Sequence, residues 1–285
     1  MNKLQYAVFT KPWKTESVDE LGEAVRAMGF DAVEFPLRQG YQAQEPKDIA
    51  ALVKNLGKHG VKVASMAAGI DVAVEQGRGE PVGTTEALYA AMGEAGVPIL
   101  RICQGFDQDK SFWENIEHLK ARYDVAARLG EKYGVCLGVQ MHHNMMHGTG
   151  LIGSYDSYIL LKDYDPRYVA AVWDAGHSGL CFENAAHSLD CLWEHLCMVN
   201  FKQAYWQRKN GPEAAAAQWD AYWTTAKHGM CDWDGALAYL RQRGYSGTVC
   251  LPAEYSDSAI AHVEQFARED LIAVKAGLEG ENNNG

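Results

Sequence analysis

Several apolar runs of the sequence end in polar side chains that can carry acid–base or ligand chemistry. The run from Ala170 to Trp173 ends at Asp174, and His177 follows one short turn later. Three other apolar runs end in the same way, and their polar residues are Gln140 and His142, Asn200 and Lys202, and Glu254. A buried strand has this pattern when it delivers polar groups into a site at its C-terminal end. The sequence therefore predicts one shared site built from strand ends.

The chemistry of this site depends on which side chains can move a proton. Carboxylates and imidazoles exchange protons near neutral pH, whereas the Gln140 amide cannot accept one at any ordinary pH. Glu254 is therefore one candidate base, with His142, His143 or His177 as the other titratable candidates, and Lys202 can stabilise negative charge that develops in a transition state. Each side chain alone is as readily explained by a hydrogen bond to a loop backbone, but convergence of the whole set favours a catalytic site.

The elements that must position these groups alternate regularly along the chain. Eight strand-like apolar segments are followed in turn by eight helix-like segments, and no long polar linker separates them. This alternation favours a single α/β domain with a closed (β/α)8 TIM barrel over residues 1–278. Residues 279–285, which contain three successive asparagines, are predicted to form a disordered tail.

One polar and aromatic segment interrupts the repeat. It covers residues 206–230, between a predicted seventh strand over 197–205 and a predicted helix over 233–243. Because it contains a run of alanines at 214–217, the segment is predicted to be a helical lid or a dimer contact. A short helix is also predicted over 188–195.

Composition excludes several classes of protein. The chain of 285 residues is 47% hydrophobic and 22% charged, which is typical of a folded globular protein. A net charge of -11 disfavours binding to nucleic acid, and no apolar run approaches the ~18 residues of a membrane span. Seven cysteines without a Cys-x-x-Cys pair indicate reduced thiols, and no signal peptide is evident, so we expect a cytoplasmic protein.

The strand ends and their order resemble the xylose-isomerase-like superfamily of TIM barrels. This superfamily includes sugar and sugar-phosphate isomerases, ketose 3-epimerases, inosose dehydratases and relatives of AP endonucleases. Val-Trp-Asp-Ala-Gly-His, which contains Asp174 and His177, is similar to the family's Asp-x-x-His on strand six. Gly-Met-Cys-Asp-Trp at 229–233 and Leu-Arg-Gln-Arg-Gly-Tyr-Ser-Gly at 240–247 resemble two further family signatures, and Glu34 resembles the second-strand glutamate.

The resemblance implies a metal site. Members of the family bind one divalent ion, often manganese, through a Glu, an Asp, a His and a Glu on strands five to eight. The corresponding residues here are Gln140, Asp174, Asn200 and Glu254, so two ligands differ. Because the set carries two negative charges rather than three, we expect Mn²⁺ or Mg²⁺ to bind less tightly than in the family.

A histidine cluster offers a different kind of metal site. His142, His143 and His147 have the side chains that transition metals prefer. Their position on a strand end and a loop gives no helical i, i+4 face, which disfavours this alternative.

The residues and the resemblance together predict a sugar isomerase or epimerase. Such an enzyme would transfer a proton next to the carbonyl of a sugar, cyclitol or keto-sugar. With Gln140 in place of a second carboxylate base, one-base isomerisation or β-elimination fits better than two-base epimerisation. The alternatives are a lyase or C-glycoside-cleaving enzyme acting on 3-keto-glycosides, and a non-catalytic barrel that binds a sugar or a partner subunit. A homo-oligomer is also possible, and an AP-endonuclease-like role is the least favoured.

Overall fold

The computed structural model describes residues 4–69, 84–103, 105–107, 109–143 and 153–280. Ten strands lie in these ranges: β1 Gln5–Phe9, β2 Ala32–Pro36, β3 Lys62–Ala67, β4 Ile99–Cys103, β5 Cys136–Gln140, β6 Val169–Asp174, β7 Leu196–Asn200, β8 Gln203–Arg208, β9 Trp219–Thr224 and β10 Thr248–Leu251. Nine α-helices lie in the same described ranges: α1 Val18–Met28, α2 Ile49–Lys58, α3 Thr85–Ala95, α4 Phe112–Tyr133, α5 Ser154–Leu161, α6 Ala175–Leu180, α7 Ala185–Leu192, α8 Trp233–Gln242 and α9 Ile260–Glu279.

Eight of the strands form a closed parallel barrel, which confirms the predicted fold. Their order around the barrel is β1, β10, β7, β6, β5, β4, β3, β2. The helix α9 continues to Glu279, one residue into the predicted tail, and residues 281–285 lie outside the described residues. The disordered tail therefore stays a prediction.

Small side chains allow the barrel interior to close. Ala7 of β1 pairs with Ala32 of β2, and both side chains lie in an apolar cluster inside the barrel. At Gly138 of β5, a Cβ would lie 2.8 Å from the Cγ2 atom of Val172, so no larger residue fits without movement. Towards the C-terminal ends of the strands the buried side chains become polar, and this change marks the candidate site.

Local sequence signals explain several helix ends. Ser17 and Glu20 form a capping box at the start of α1. Glycine caps follow two other helices: Gly96 ends α3 and Gly134 ends α4, both in the left-handed conformation that favours glycine. Each cap satisfies backbone groups that the helix itself leaves unpaired.

The segment after β7 differs from the prediction. The seventh strand ends at Asn200, and the strands β8 and β9 form an antiparallel hairpin instead of a helical lid. Facing aromatic side chains such as Tyr205 and Tyr222 stabilise the hairpin, because aromatic residues prefer strands. The alanine run at 214–217 lies between β8 and β9, outside both strands. The Trp206 indole N–H donates to the carbonyl of Leu180 at 3.0 Å and ties the hairpin to α6.

Two further elements differ from the prediction in the same region. The helix α6 was not expected, because a glycine-containing six-residue stretch has weak helical periodicity. The predicted helix over 188–195 begins earlier, at Ala185, and ends as a 3-10 turn over Trp193–His195.

Two predictions about the environment can be compared with the structure. None of the seven cysteines forms a disulfide, and all seven lie within the described residues. Among the described helices, none combines the length and the apolar character that a membrane crossing requires.

A buried carboxyl group connects α9 to the segment after the hairpin. Asp270 accepts hydrogen bonds from the backbone N–H of Ala226 and from the hydroxyl of Tyr255, both at 2.9 Å. Burial outweighs these bonds and raises the pKa of Asp270 to about 6. Because the folded protein holds this proton more tightly than the unfolded chain, the stabilisation is complete below pH ~4 and is lost as the pH rises through about 6.

We therefore expect Asp270→Asn to stabilise the protein relative to wild type more at pH 7.5 than at pH 4.5, by about 2 kcal/mol. The amide keeps an acceptor for Ala226 and does not ionise. Urea unfolding at the two pH values measures the difference, and Asp234→Asn, which changes an exposed carboxyl group on α8, serves as the control. An equal effect of Asp270→Asn at both pH values would contradict the assignment.

Candidate active site

Buried charges of both signs meet at the C-terminal end of the barrel. Glu34 of β2 and Arg101 of β4 form an ion pair inside the barrel, and both side chains are almost fully buried. Nearer the mouth, Glu254 lies between the ammonium groups of Lys202 and Lys11. Because an unpaired buried charge is costly, these pairs determine how the remaining polar groups are arranged.

Gln140 connects two charges of opposite sign. Its Oε1 atom accepts a hydrogen bond from Arg101 Nη1 at 2.9 Å and another from the Cys103 thiol at 3.2 Å. Its Nε2 atom donates to Asp174 Oδ2 at 2.7 Å. The amide thus accepts from a cation and donates to an anion, and no part of it can take up a proton.

Asp174 links β6 to the short helix α6. Its Oδ1 atom accepts the backbone N–H groups of Gly176 and His177 at 2.9 and 3.1 Å. Burial raises the pKa of Asp174, while the ammonium group of Lys202 and the hydrogen bonds from His177 and Gln140 oppose that rise. The backbone packs tightly at Gly176, where a Cβ would lie 3.0 Å from the carbonyl oxygen of Lys202.

Lys202 is the central cation of the site. Its Nζ atom donates to Glu254 Oε2 at 2.8 Å and lies 4.0 Å from the ring centroid of Trp223 on the hairpin. Burial opposes ionisation of Glu254, but Lys202 and Lys11 outweigh it and hold the pKa of Glu254 well below its usual range. Glu254 is therefore an anion throughout the neutral pH range.

Three histidines stack beside Lys202. The ring centroids of His142 and His177 lie 3.9 Å apart, and those of His143 and His177 lie 4.9 Å apart. Lys202 Nζ lies 3.5 Å from His177 Nε2, and His143 Nδ1 lies 2.7 Å from His177 Nδ1. Since an ammonium group can only donate, His177 Nε2 must be the acceptor, and its proton lies on Nδ1 and points to His143.

Burial beside a cation keeps His143 uncharged. Burial lowers the pKa of His143 to about 4, and the nearby ammonium group of Lys202 contributes to the same shift. Ligand atoms of His142, His143 and His177 all lie within 4.8 Å of one another, so this cluster could hold a metal ion. The predicted third histidine, His147, lies outside the described residues.

The four metal ligands implied by the family resemblance do not form an open coordination site in this arrangement. Asn200 Oδ1 is buried without a hydrogen-bond partner among the described residues and is available as a ligand. The oxygen atoms of Gln140 and Asp174 already accept the hydrogen bonds described above, and Glu254 is held by two ammonium groups. An ion bound there would compete with Lys202 and Lys11 for the oxygen atoms of Glu254.

The structure brings most of the predicted residues together. His142, Asp174, His177, Lys202 and Glu254 lie around one centre, while their catalytic roles remain predictions. Three important groups were not in the predicted set, namely Arg101, Lys11 and Trp223. Arg101 had a usable signal, since a charged residue inside an apolar strand requires a buried partner.

Comparison with known sequences identifies relatives among dehydratases. Inosose dehydratases from Bacillus velezensis and Geobacillus thermodenitrificans are 28% and 27% identical to this chain over 156 and 172 residues. The matched segments cover 52% and 57% of this chain and 50% and 55% of the two relatives. The chain thus matches about half the length of each relative.

Solved structures with a similar fold include sugar epimerases. The 3-keto-D-glucoside 4-epimerase from E. coli superposes with a TM-score of 0.72 at 16% identity, covering 96% of this chain and 100% of that chain. An L-ribulose 3-epimerase superposes with a TM-score of 0.73 at 14% identity, covering 97% of this chain and 95% of that chain. At these identities the likeness establishes the fold.

A family match covers most of the barrel. Residues 23–275, from α1 to α9, match the family described as xylose isomerase-like TIM barrel. This span includes the site residues at the ends of β5, β6, β7 and β10. The chain therefore belongs to the xylose isomerase-like TIM barrel family.

Proposed function

We propose that this chain is an isomerase- or epimerase-type enzyme that transfers a proton next to the carbonyl of a sugar, cyclitol or keto-sugar. The observation that supports this most directly is the buried ammonium group of Lys202 between Glu254 and the imidazole of His177. It combines a carboxylate base, a cation for a developing enolate and a titratable partner at the mouth of one barrel. The epimerase structures and the dehydratase relatives act on substrates of this kind, according to their names.

In the proposed mechanism, Lys202 and Glu254 perform complementary steps. The carbonyl oxygen of the substrate binds near Lys202, whose positive charge stabilises the enolate as the adjacent carbon loses its proton. Glu254 is the carboxylate available to take that proton. Because two ammonium groups lower its basicity, binding of the carbonyl oxygen to Lys202 would weaken one ion pair and make Glu254 a stronger base when it is needed.

The histidines supply a path for the second proton. Lys202 donates towards His177 Nε2, and the His177 Nδ1 proton points to His143 Nδ1. When Lys202 gives a proton to His177 Nε2, the Nδ1 proton of His177 moves to His143 and the Nε2 proton of His143 moves to the substrate, so no stable imidazolium forms, which agrees with the lowered pKa of His143. The neutral Lys202 then regains a proton from the protonated Glu254 carboxyl group, whose Oε2 atom lies 2.8 Å away. His143, one of the three histidines predicted as titratable candidates, would then be the acid.

A dehydratase or another lyase is the second candidate. Elimination requires one base and one acid, and the site offers the Glu254 carboxylate together with the histidine path, since Gln140 cannot act as a second base. The inosose dehydratase relatives favour the same reaction class, although the match covers about half of their length. Cleavage of 3-keto-glycosides follows the same elimination chemistry, and a non-catalytic sugar-binding barrel is the remaining alternative.

A divalent metal at the predicted position faces competition from the lysines of the site. Mn²⁺ or Mg²⁺ at Gln140, Asp174, Asn200 and Glu254 would compete with Lys202 and Lys11 for the same oxygens. Nitrogen ligands from the three histidines would instead suit a later transition metal. The steps proposed above use only protein side chains. The proposal also includes a substrate of carbohydrate size, a cytoplasmic location and the homo-oligomer that the sequence leaves open.

We expect Lys202→Met to slow substrate hydrogen exchange by about 10²- to 10³-fold, because it removes the cation that stabilises the enolate. Methionine keeps much of the side-chain volume beneath Trp223. Lys209→Met is the matched control, since Lys209 forms a surface ion pair with Asp220 at 2.7 Å on the hairpin that carries Trp223. Exchange rates in deuterated water measure both variants, and an unchanged rate in Lys202→Met would refute the proposed role.

The reaction products distinguish the two enzyme classes. We expect proton NMR in deuterated water, with a panel of ketoses, inososes and 3-keto-glucosides, to show deuterium at a carbon next to the carbonyl and an isomerised sugar. Loss of water or of the aglycone would assign the lyase reaction instead. Binding of a sugar without any exchange would support the non-catalytic alternative.

We expect removal of metals with EDTA to leave the melting temperature and the exchange rate unchanged, because Lys202 and Lys11 already neutralise Glu254. Elemental analysis before and after dialysis provides the second readout. A lower melting temperature that Mn²⁺ restores would support the family's metal position. Restoration by Zn²⁺ or Co²⁺, lost in His143→Ala, would point to the histidine cluster.

A further inference from the structure

A cavity of about 770 Å³ lies beside Glu254 at the mouth of the barrel. Its lining includes Lys11, Lys14 and Arg38, whereas Glu254 is the single acidic residue among its described lining residues. A protein with a net charge of -11 thus has a cavity with an excess of positive charge. The volume is within the range of pockets for small molecules.

Two of these cations, Lys14 and Arg38, are not neutralised by carboxylates among the described residues. Lys11 is paired with Glu254, but neither Lys14 nor Arg38 forms an ion pair with any residue that the structure describes. Both contact the ring of Tyr41, with Lys14 Nζ 5.3 Å and Arg38 Cζ 5.0 Å from its centroid. Such cation–π contacts hold the cations near one another without neutralising them.

Tyr41 is a fixed support for both cations. Its ring is 5% exposed, its hydroxyl donates to the carbonyl of Lys11 at 3.2 Å, and it accepts from Arg38 Nη2 at 3.3 Å. The arrangement therefore links the outer cations to the same loop that carries Lys11 and contacts Glu254. A hydroxyl donor is also close, because Ser256 lines the cavity and accepts the N–H of Trp223 with its Oγ atom at 3.1 Å.

We propose that Lys14 and Arg38 form a binding subsite for an anionic substituent, either a carboxylate or a phosphate group. An arginine can bind such a group through two parallel hydrogen bonds, and a lysine adds a point charge. If the proposed function is correct, the substrate spans the cavity with its carbonyl at Lys202 and its anionic group at Lys14 and Arg38. The substrate class is then an acidic or phosphorylated sugar rather than a neutral one. The anion site itself depends only on the cavity and its charges.

Titration calorimetry with glucose, glucuronate and glucose 6-phosphate tests the subsite. We expect at least one of the anionic sugars to bind about 10-fold or more tightly than glucose, with weaker binding at about 300 mM than at about 50 mM NaCl. Tighter binding of glucuronate would identify a carboxylate, and tighter binding of glucose 6-phosphate would identify a phosphate. The double variant Lys14→Met with Arg38→Gln should remove the preference while retaining the wild-type melting temperature.

The control double variant is Lys62→Met with Arg128→Gln, which removes the same charge from two exposed positions outside the cavity. Phosphorus NMR with inorganic phosphate alone gives a readout that does not depend on any sugar. We expect its line to broaden with wild type and control but not with the Lys14 and Arg38 variant. Equal binding of all three sugars together with no phosphate broadening, or an unchanged preference in that variant, would overturn the subsite. Anion binding without hydrogen exchange would retain the subsite and reject the enzymatic proposal.

Discussion

The ion pair between Lys202 and Glu254 is the interaction on which the site depends. Removal of either partner would leave an uncompensated charge at the end of the barrel, where Lys202 is 7% exposed. The pair also affects its neighbours, since Lys202 contacts His177 Nε2, and burial together with Lys202 lowers the pKa of His143. The same ammonium group thus contacts both the imidazole and the carboxylate of the site, and it shares the neutralisation of Glu254 with Lys11.

The positions of the strand ends explain why this centre was partly predictable. Asp174 ends β6 after an uninterrupted apolar run, so sequence alone places its carboxylate at the barrel mouth. The alternation of side chains fails beyond the last paired residue, however. The strand β5 ends at Gln140, and His142 and His143 both contact His177 although alternation would place them on opposite faces.

Backbone conformation and long-range contacts account for what the sequence could not predict. Ala253 has a φ of 51°, which redirects the chain between the end of β10 and Glu254 in a way that strand periodicity does not anticipate. Lys11 and Trp223 reach the site from elements that are distant in sequence. The alanine run favours a helical lid because helix propensity can be read from the sequence, whereas the cross-strand pairing of Tyr205 with Tyr222 cannot.

The substitution at Gln140 is consistent with the charges around it. A glutamate at this position could pair with Arg101, but it would lie beside the Asp174 carboxylate and repel it. An amide can accept from Arg101 and donate to Asp174 at the same time, so it joins the two buried ion networks without adding charge. The three cations Arg101, Lys202 and Lys11 already face three carboxyl groups, those of Glu34, Asp174 and Glu254, so a further carboxylate would require an additional cation. Gln140 and Lys202 together therefore describe a site whose charges are balanced by side chains, and this balance makes proton transfer by protein groups the simplest chemistry for it.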